Sequence, residues 1–178
     1  MTTTPARPKA LPVQLEHIPQ ELRQRSQWVL WRYELRGGKW TKPPAQANGE
    51  RASSTDPGTW GTFDAVWAAY RRGGFDGLGY VLTKEDGLVG VDLDHCRDAN
   101  SGEVPQWAAD IVKKLDTYTE ITPSGTGLRL FLWGVLPPGG RHRDNVEAYD
   151  TGRFLTLTGR HIAGTPATIE RRQAEIEA

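Results

Sequence analysis

The stretch Leu88-Val89-Gly90-Val91-Asp92-Leu93-Asp94 decides how the rest of the chain is interpreted. Its aliphatic and β-branched residues predict a short, buried strand. Side chains alternate along a strand, so Asp92 and Asp94 share one face while Val91 and Leu93 share the other. Two carboxylates on one face can converge on divalent cations, and paired cations support phosphoryl transfer. The alternative is that both aspartates merely end the strand and open a turn.

Around this strand, the sequence predicts an α+β protein with a mixed, mainly antiparallel sheet and flanking helices. Helices are predicted just after Pro19 and over residues 63–72, 104–116 and 167–178. Strands are predicted over residues 28–35, 39–42, 77–83, 88–94, 118–122, 128–133, 146–149 and 153–157. Glycine turns at Gly37-Gly38, Asp86-Gly87 and Thr151-Gly152 predict that the strands on either side of each turn pair as hairpins.

The length of 178 residues fits a single domain with a substantial core. We expect residues 1–15 to be a disordered lead-in, because prolines there are mixed with polar residues and no apolar period is present. The folded domain is expected over residues 16–166. The C-terminal helix, residues 167–178, is expected to lead into a downstream region.

Composition narrows the class of protein. Cys96 is the sole cysteine, so no internal disulfide can form and a reducing, cytoplasmic location is expected. No apolar run reaches the ~18 residues that a membrane span needs, so no membrane association is expected. The 22 basic residues balance 22 acidic ones, and the net charge does not indicate a nucleic-acid binder. Bases exceed acids locally between residues 21 and 51, which predicts either a phosphate-tracking surface or a solvated basic face.

A second group of residues is Ser124-Gly125-Thr126-Gly127-Leu128-Arg129, just before and within a predicted strand. Glycines let backbone N–H groups approach an anion, and successive N–H groups form an anion-binding nest. Ser124 adds a hydroxyl donor, and Arg129 adds a guanidinium suited to phosphate. The alternative is an ordinary glycine-rich turn.

A third group is the segment 146–159, in which Glu147 lies on a strand and Gly152-Arg153 is followed by Thr156 and Thr158. Glu147 can project toward the same sheet surface as Asp92 and Asp94. Three carboxylates would complete an oxygen ligand set for two hard cations. The alternative is a surface glutamate on an edge strand.

The order of these three groups resembles the archaeo-eukaryotic primase superfamily, and within it the primase-polymerase domains of phages and mobile elements. The likeness covers roughly residues 26–159 and extends beyond the three groups. The further matching segments are Gln27-Trp28-Val29-Leu30-Trp31, Thr41-Lys42-Pro43-Pro44, Ala52-Ser53-Ser54-Thr55-Asp56-Pro57, Gly77-Leu78-Gly79-Tyr80-Val81-Leu82-Thr83 and Tyr118-Thr119-Glu120-Ile121-Thr122-Pro123-Ser124-Gly125.

The resemblance implies a primase catalytic core, in which a subdomain like an RNA-recognition motif joins an N-terminal αβ unit. It implies that Asp92, Asp94 and Glu147 are the catalytic residues and the ligands of two Mg²⁺ or Mn²⁺ ions. It further implies nucleotide binding by the turn and the residue after it, namely Ser124, Gly125, Gly127 and Arg129. Lys42 and Arg153 are additional candidates for phosphate contact, from their charge and position.

Position 129 is where the chain departs from the family, which has a histidine there. Arginine can bind phosphate bidentately but cannot donate a proton near neutrality. Triphosphate binding at this position is therefore expected, whereas an acid–base role is not.

The implied function is that of a template-directed nucleotidyltransferase, a DNA polymerase or primase that uses two metal ions in the replication of a phage or mobile element. The implied partners are a single-stranded template or primer-template, dNTP or NTP, and a helicase region or partner. Two alternatives remain open from the residues: a metal-dependent phosphodiesterase or nuclease, and a catalytically silent nucleic-acid-binding module. Because Asp92 and Asp94 are expected to bind metal rather than fill a core, alanine at either position is expected to leave the fold intact.

Overall fold

The computed structural model describes residues 3–138 and 142–178. The helices are α1 (Gln20–Arg23), α2 (Phe63–Arg72), α3 (Gln106–Leu115) and α4 (Gln173–Glu177). The strands are β1 (Trp28–Trp31), β2 (Glu34–Arg36), β3 (Lys39–Thr41), β4 (Pro44–Ala45), β5 (Gly77–Val81), β6 (Leu88–Leu93), β7 (Thr119–Ile121), β8 (Leu128–Trp133), β9 (His142–Arg143), β10 (Val146–Tyr149), β11 (Phe154–Leu157) and β12 (Glu170–Arg171). Short 3₁₀ turns occupy Leu15–His17, Pro57–Thr59 and Lys84–Asp86.

The strands form two main sheets and one small hairpin. Sheet I has the order β11-β5-β1-β4, and all of its pairs are antiparallel. Sheet II has the order β12-β8-β6-β10-β9, and β7 also pairs with β8. Within sheet II, β12 runs parallel to β8, and the remaining pairs are antiparallel. The predicted α+β class with mainly antiparallel pairing is confirmed.

The hydrophobic core consists of two clusters. The larger one joins both sheets: Trp28, Tyr80 and Leu155 of sheet I share it with Phe131 of sheet II, and α2 packs onto it. The indole N–H of buried Trp28 donates to the Leu22 carbonyl at 2.9 Å, so this large ring is buried without leaving its donor unpaired. The smaller cluster lies on the other face of sheet II, where α3 covers side chains of β6 and β8.

Helix α2, strand β8 and the β2–β3 hairpin were predicted correctly from residues close together in the sequence. Helix α2 spans the predicted residues 63–72. The Thr62 hydroxyl caps it by accepting from the Ala65 N–H at 3.2 Å, and Gly73 ends it with a φ of 92°. Strand β8 spans the predicted 128–133, and β2 and β3 form the predicted hairpin around Gly37-Gly38.

Two predicted hairpins are wrong, because their strands enter different sheets. β5 lies between β11 and β1 in sheet I, whereas β6 lies between β8 and β10 in sheet II. Each strand already has a partner on both sides, so β5 and β6 cannot pair across Asp86-Gly87. β10 and β11 are likewise in sheets II and I, so Thr151-Gly152 connects the sheets. The predicted strand 28–35 is also divided, into β1 and β2.

The two ends of the chain differ from the expectations. Residues 3–14 form no helix or strand, but they are held in place rather than detached: Leu11 N–H donates to the Pro123 carbonyl and Gln14 N–H to the Thr158 carbonyl, both at 2.8 Å. The expected helix over 167–178 is shorter, because β12 first pairs with the edge of β8. Helix α4 then begins after Arg172 rather than after Thr168.

Candidate active site

Four charged residues stand side by side across sheet II. Glu147 on β10 lies opposite Asp92 on β6, Asp92 lies opposite Arg129 on β8, and Arg129 lies opposite Glu120 on β7. Residues directly opposite each other on antiparallel strands have their side chains on one face, about 4.5–5.5 Å apart at Cβ. We call Glu147, Asp92, Arg129 and Glu120 the charged row. It brings two of the predicted carboxylates and the predicted phosphate ligand into one line.

Arg129 forms a bidentate ion pair with Asp92 at the centre of this row. Its Nε donates to Asp92 Oδ1, and its Nη2 donates to Asp92 Oδ2 at 2.9 Å. The third nitrogen, Nη1, donates to the carbonyl of Thr156 at 2.7 Å and to its hydroxyl. Both side chains of the pair are only 12% exposed. Burial alone would lower the pKa of Arg129, but the Asp92 carboxylate outweighs it and the pKa is raised.

Glu147 lies at the more exposed end of the row. Its carboxylate accepts a hydrogen bond from the Tyr149 hydroxyl and lies 3.2 Å from His142 Nε2. Arg153 stacks its guanidinium on the Tyr149 ring, 4.1 Å from the ring centroid. The predicted phosphate ligand Arg153 is thus connected to the row through Tyr149.

Asp94 follows the end of β6, two residues after Asp92. Its backbone N–H donates to the Asn145 carbonyl at 2.8 Å, which ties the end of β6 to the turn before β10. In the part of the chain that the structure describes, the Asp94 carboxylate makes no hydrogen bond or ion pair. Among the described residues, Asp94 is therefore the predicted ligand whose side chain has the fewest polar contacts.

The carboxylates have the oxygen donors that Mg²⁺ and Mn²⁺ prefer, and β6 and β10 place two of them directly opposite each other. Their chemistry and placement therefore fit a divalent-cation site. Across residues 3–138 and 142–178, however, no three His, Cys, Asp or Glu side chains are gathered closely enough to hold an ion. The contacts explain this, because Asp92 turns to Arg129 and Glu147 turns to Tyr149 and His142. The metal assignment stays a prediction.

Lys42 reaches the same site from the segment after β3. Its ammonium lies 5.6 Å from the Trp31 ring centroid and 5.8 Å from that of Tyr33. Although Lys42 as a residue is exposed, protein atoms surround its ammonium, and this desolvation together with repulsion from Arg129 lowers its pKa. The Asp92 and Asp94 carboxylates act in the opposite direction, which places this predicted residue within their field.

The turn that carries Ser124, Gly125 and Gly127 lies against the end of β6. A Cβ at Gly127 would come within 2.9 Å of the Leu93 carbonyl, so only glycine lets the turn approach this closely. The backbone donors of the turn are already used internally: Gly125 N–H donates to the Thr122 carbonyl, and Gly127 N–H donates to the Thr122 hydroxyl. The exposed Ser124 hydroxyl lies 2.8 Å from that of Thr126. The glycines thus shape the turn, and the hydroxyls are its outward-facing donors.

Glu120 is a site residue to which the sequence assigned no role. It is fully buried, and its carboxylate accepts from the N–H groups of Thr158 and Gly159 and from the Tyr118 hydroxyl, at 2.9, 2.9 and 2.7 Å. Burial raises the pKa of Glu120 despite these three donors. The sequence signals were a charged residue inside a predicted strand and its place in one of the segments that carry the resemblance.

The arginines between residues 21 and 51 have different partners. Arg25 pairs with Asp86 at 3.1 Å, and Arg23 donates to the Ile18 carbonyl. Three arginines instead gather around the Glu34 carboxylate at 3.9, 3.2 and 2.8 Å, and these are Arg32, Arg36 and Arg51. We call these three the Glu34 arginines. They leave a local excess of positive charge on the surface beside β2.

Two sheets thus share a core, and sheet II carries carboxylates on neighbouring strands with basic residues beside them. The chain is 42% identical to the "DNA Primase-polymerase" of Nitratiruptor phage NrS-1, in a match over 146 residues that covers 78% of this chain. The resemblance to phage primase-polymerases is thereby confirmed. The chain spans 20% of the length of that relative.

No protein-family model matches the chain. Among the described residues, no helix is both long enough and apolar enough to cross a membrane.

Proposed function

We propose that this chain is the catalytic domain of a DNA primase-polymerase, a template-directed nucleotidyltransferase that acts in the replication of a phage or other mobile element. The observation that carries the proposal is the charged row, in which Glu147 and Asp92 are cross-strand neighbours with Arg129 beside them. The similarity to the phage NrS-1 protein supports the same class of reaction. Three of its four charges, those of Asp92, Arg129 and Glu120, are largely buried, which is costly to a fold and favours a functional role for the row.

In the proposed reaction, a primer 3′-hydroxyl or the hydroxyl of a first nucleotide attacks the α-phosphate of a nucleoside triphosphate, and pyrophosphate leaves. Asp92, Asp94 and Glu147 would hold two Mg²⁺ or Mn²⁺ ions. When bound, such ions activate the attacking hydroxyl and neutralise charge on the leaving group.

The basic side chains around the carboxylates would orient the triphosphate. Arg129 and Lys42 lie beside Asp92, and Arg153 lies beside Glu147 through Tyr149. Ser124 would contribute its hydroxyl from the turn, while Gly125 and Gly127 give the turn its shape. The Glu34 arginines are the proposed contact for phosphates of the template strand. A helicase region or partner remains a proposal that comes from the resemblance.

The test is primer extension with Mg²⁺ or Mn²⁺, with and without a pre-existing primer, comparing dNTPs with NTPs. Asp94→Asn is the matched inactive variant, because its carboxylate has no partner among residues 3–138 and 142–178 and its loss should leave the fold intact. The proposal is supported if the wild type incorporates nucleotide and Asp94→Asn does not. Hydrolysis of the template without incorporation would instead indicate a nuclease. DNA binding without metal-dependent turnover would indicate a silent binding module.

A further inference from the structure

The Arg129–Asp92 pair occupies one of the three carboxylates that the proposed reaction uses. Both Asp92 oxygens accept from Arg129, and Arg129 is anchored from its other end by the carbonyl and hydroxyl of Thr156. A positively charged guanidinium and a divalent cation repel each other, so Arg129 at this distance weakens the affinity of Asp92 for a cation. Release of Arg129 would therefore strengthen cation binding by Asp92.

The charges of the site indicate what triggers the release. The positive charges of Arg129 and Lys42 act on the Asp92 and Asp94 carboxylates and offset part of the negative charge of the proposed ligands. Such a site attracts divalent cations weakly compared with three unpaired carboxylates. A nucleoside triphosphate offers an alternative partner to both Arg129 and Lys42, because guanidinium groups bind phosphate oxygens bidentately. Its arrival would free Asp92.

We propose that Arg129 couples cation binding to nucleotide binding: it holds Asp92 while the site is empty and exchanges Asp92 for the triphosphate when nucleotide arrives. This inference rests on the proposed function and adds a regulatory role for the residue at which the chain departs from its family. Coupling of this kind is a difference in affinity between two states, typically five- to 150-fold. It keeps the site from loading cations when no nucleotide is present.

The experiment measures Mn²⁺ affinity without nucleotide, by electron paramagnetic resonance of free Mn²⁺. Arg129→Gln should bind Mn²⁺ at least about tenfold more tightly than the wild type, because it removes the competing charge. Thr156→Val should strengthen binding by a smaller factor, since it removes only the hydroxyl anchor and changes no charge. Arg172→Gln is the matched control: Arg172 donates to the carbonyls of Leu115 and Asp116, and its loss should leave Mn²⁺ affinity unchanged.

A second readout follows Arg129 itself. The NMR signal of its Nε–H should stay in place when Mg²⁺ alone is added, and should move when Mg²⁺ and nucleoside triphosphate are added together. Thr156→Val keeps the test valid if Arg129→Gln fails to fold.

The outcomes separate this inference from the proposed function. The coupling would be overturned if the wild type, Arg129→Gln and Thr156→Val bind Mn²⁺ with equal affinity. If Asp92→Asn abolishes that binding, the proposed metal site is nevertheless supported. An absence of Mn²⁺ binding in every variant, with or without nucleotide, would overturn both. Tighter binding in both variants, together with an Nε–H signal that moves only when nucleotide is present, supports the coupling.

Discussion

Replacing Asp92 by alanine should destabilise the protein in the absence of any metal, contrary to what the sequence suggested. The carboxylate is the ion-pair partner of Arg129, and each side chain is only 12% exposed. Removing one member of a buried pair leaves the other charge uncompensated, which costs about 3–5 kcal/mol. Arg129 would keep its hydrogen bonds to Thr156, so we take the lower value of about 3 kcal/mol. For a chain of this size, that corresponds to a fall in Tm of roughly 6–12 °C.

The assay is thermal and urea unfolding followed by circular dichroism in buffer with a metal chelator. Asp94→Ala is the control, because its carboxylate has no such partner among the described residues, and its free energy of unfolding should stay within about 0.5 kcal/mol of the wild type. The double variant Asp92→Leu/Arg129→Met removes both charges and should recover much of the loss. If Asp92→Ala unfolds at the same temperature as Asp94→Ala, the buried pair does not contribute as the structure indicates.

Three further predictions test other parts of the structure. Burial raises the pKa of Glu120, so the folded state holds the proton of this carboxyl more tightly than the unfolded state does. The stability of the wild type should therefore fall as the pH rises above the ordinary glutamate range. Glu120→Gln should flatten that dependence in urea melts between about pH 4 and 7. Gly90→Ala should lower the free energy of unfolding by about 1–3 kcal/mol, because its Cβ would overlap the Leu155 side chain. Gly61→Ala is the control: its Cβ would meet nothing nearer than 3.9 Å, so its free energy of unfolding in the same melts should be nearly that of the wild type. Arg51→Ala should weaken DNA binding and reduce the slope of log affinity against log salt by about 1; an unchanged slope would mean that the Glu34 arginines are merely solvated.

Local sequence patterns were sufficient for the elements that depend on neighbouring residues. Helix α2 has its cap at Thr62, its apolar stripe and its terminating Gly73 within a dozen residues, and its bounds were predicted correctly. Strand β6 and the two aspartates on one of its faces were equally apparent, because side-chain alternation is a property of the strand itself. The resemblance to phage primase-polymerases also came from the order of short motifs along the chain.

Only the tertiary structure decided which strands pair, and therefore which charges meet. A turn such as Asp86-Gly87 favours a hairpin locally, but β5 and β6 each gain a partner on both sides by entering different sheets. Asp92 and Arg129 are 37 residues apart, and their ion pair exists because the register of β6 and β8 places them opposite each other. Register is a long-range property set by the packing of whole strands, so the sequence could identify Arg129 as a basic residue near the site but not as the partner of Asp92.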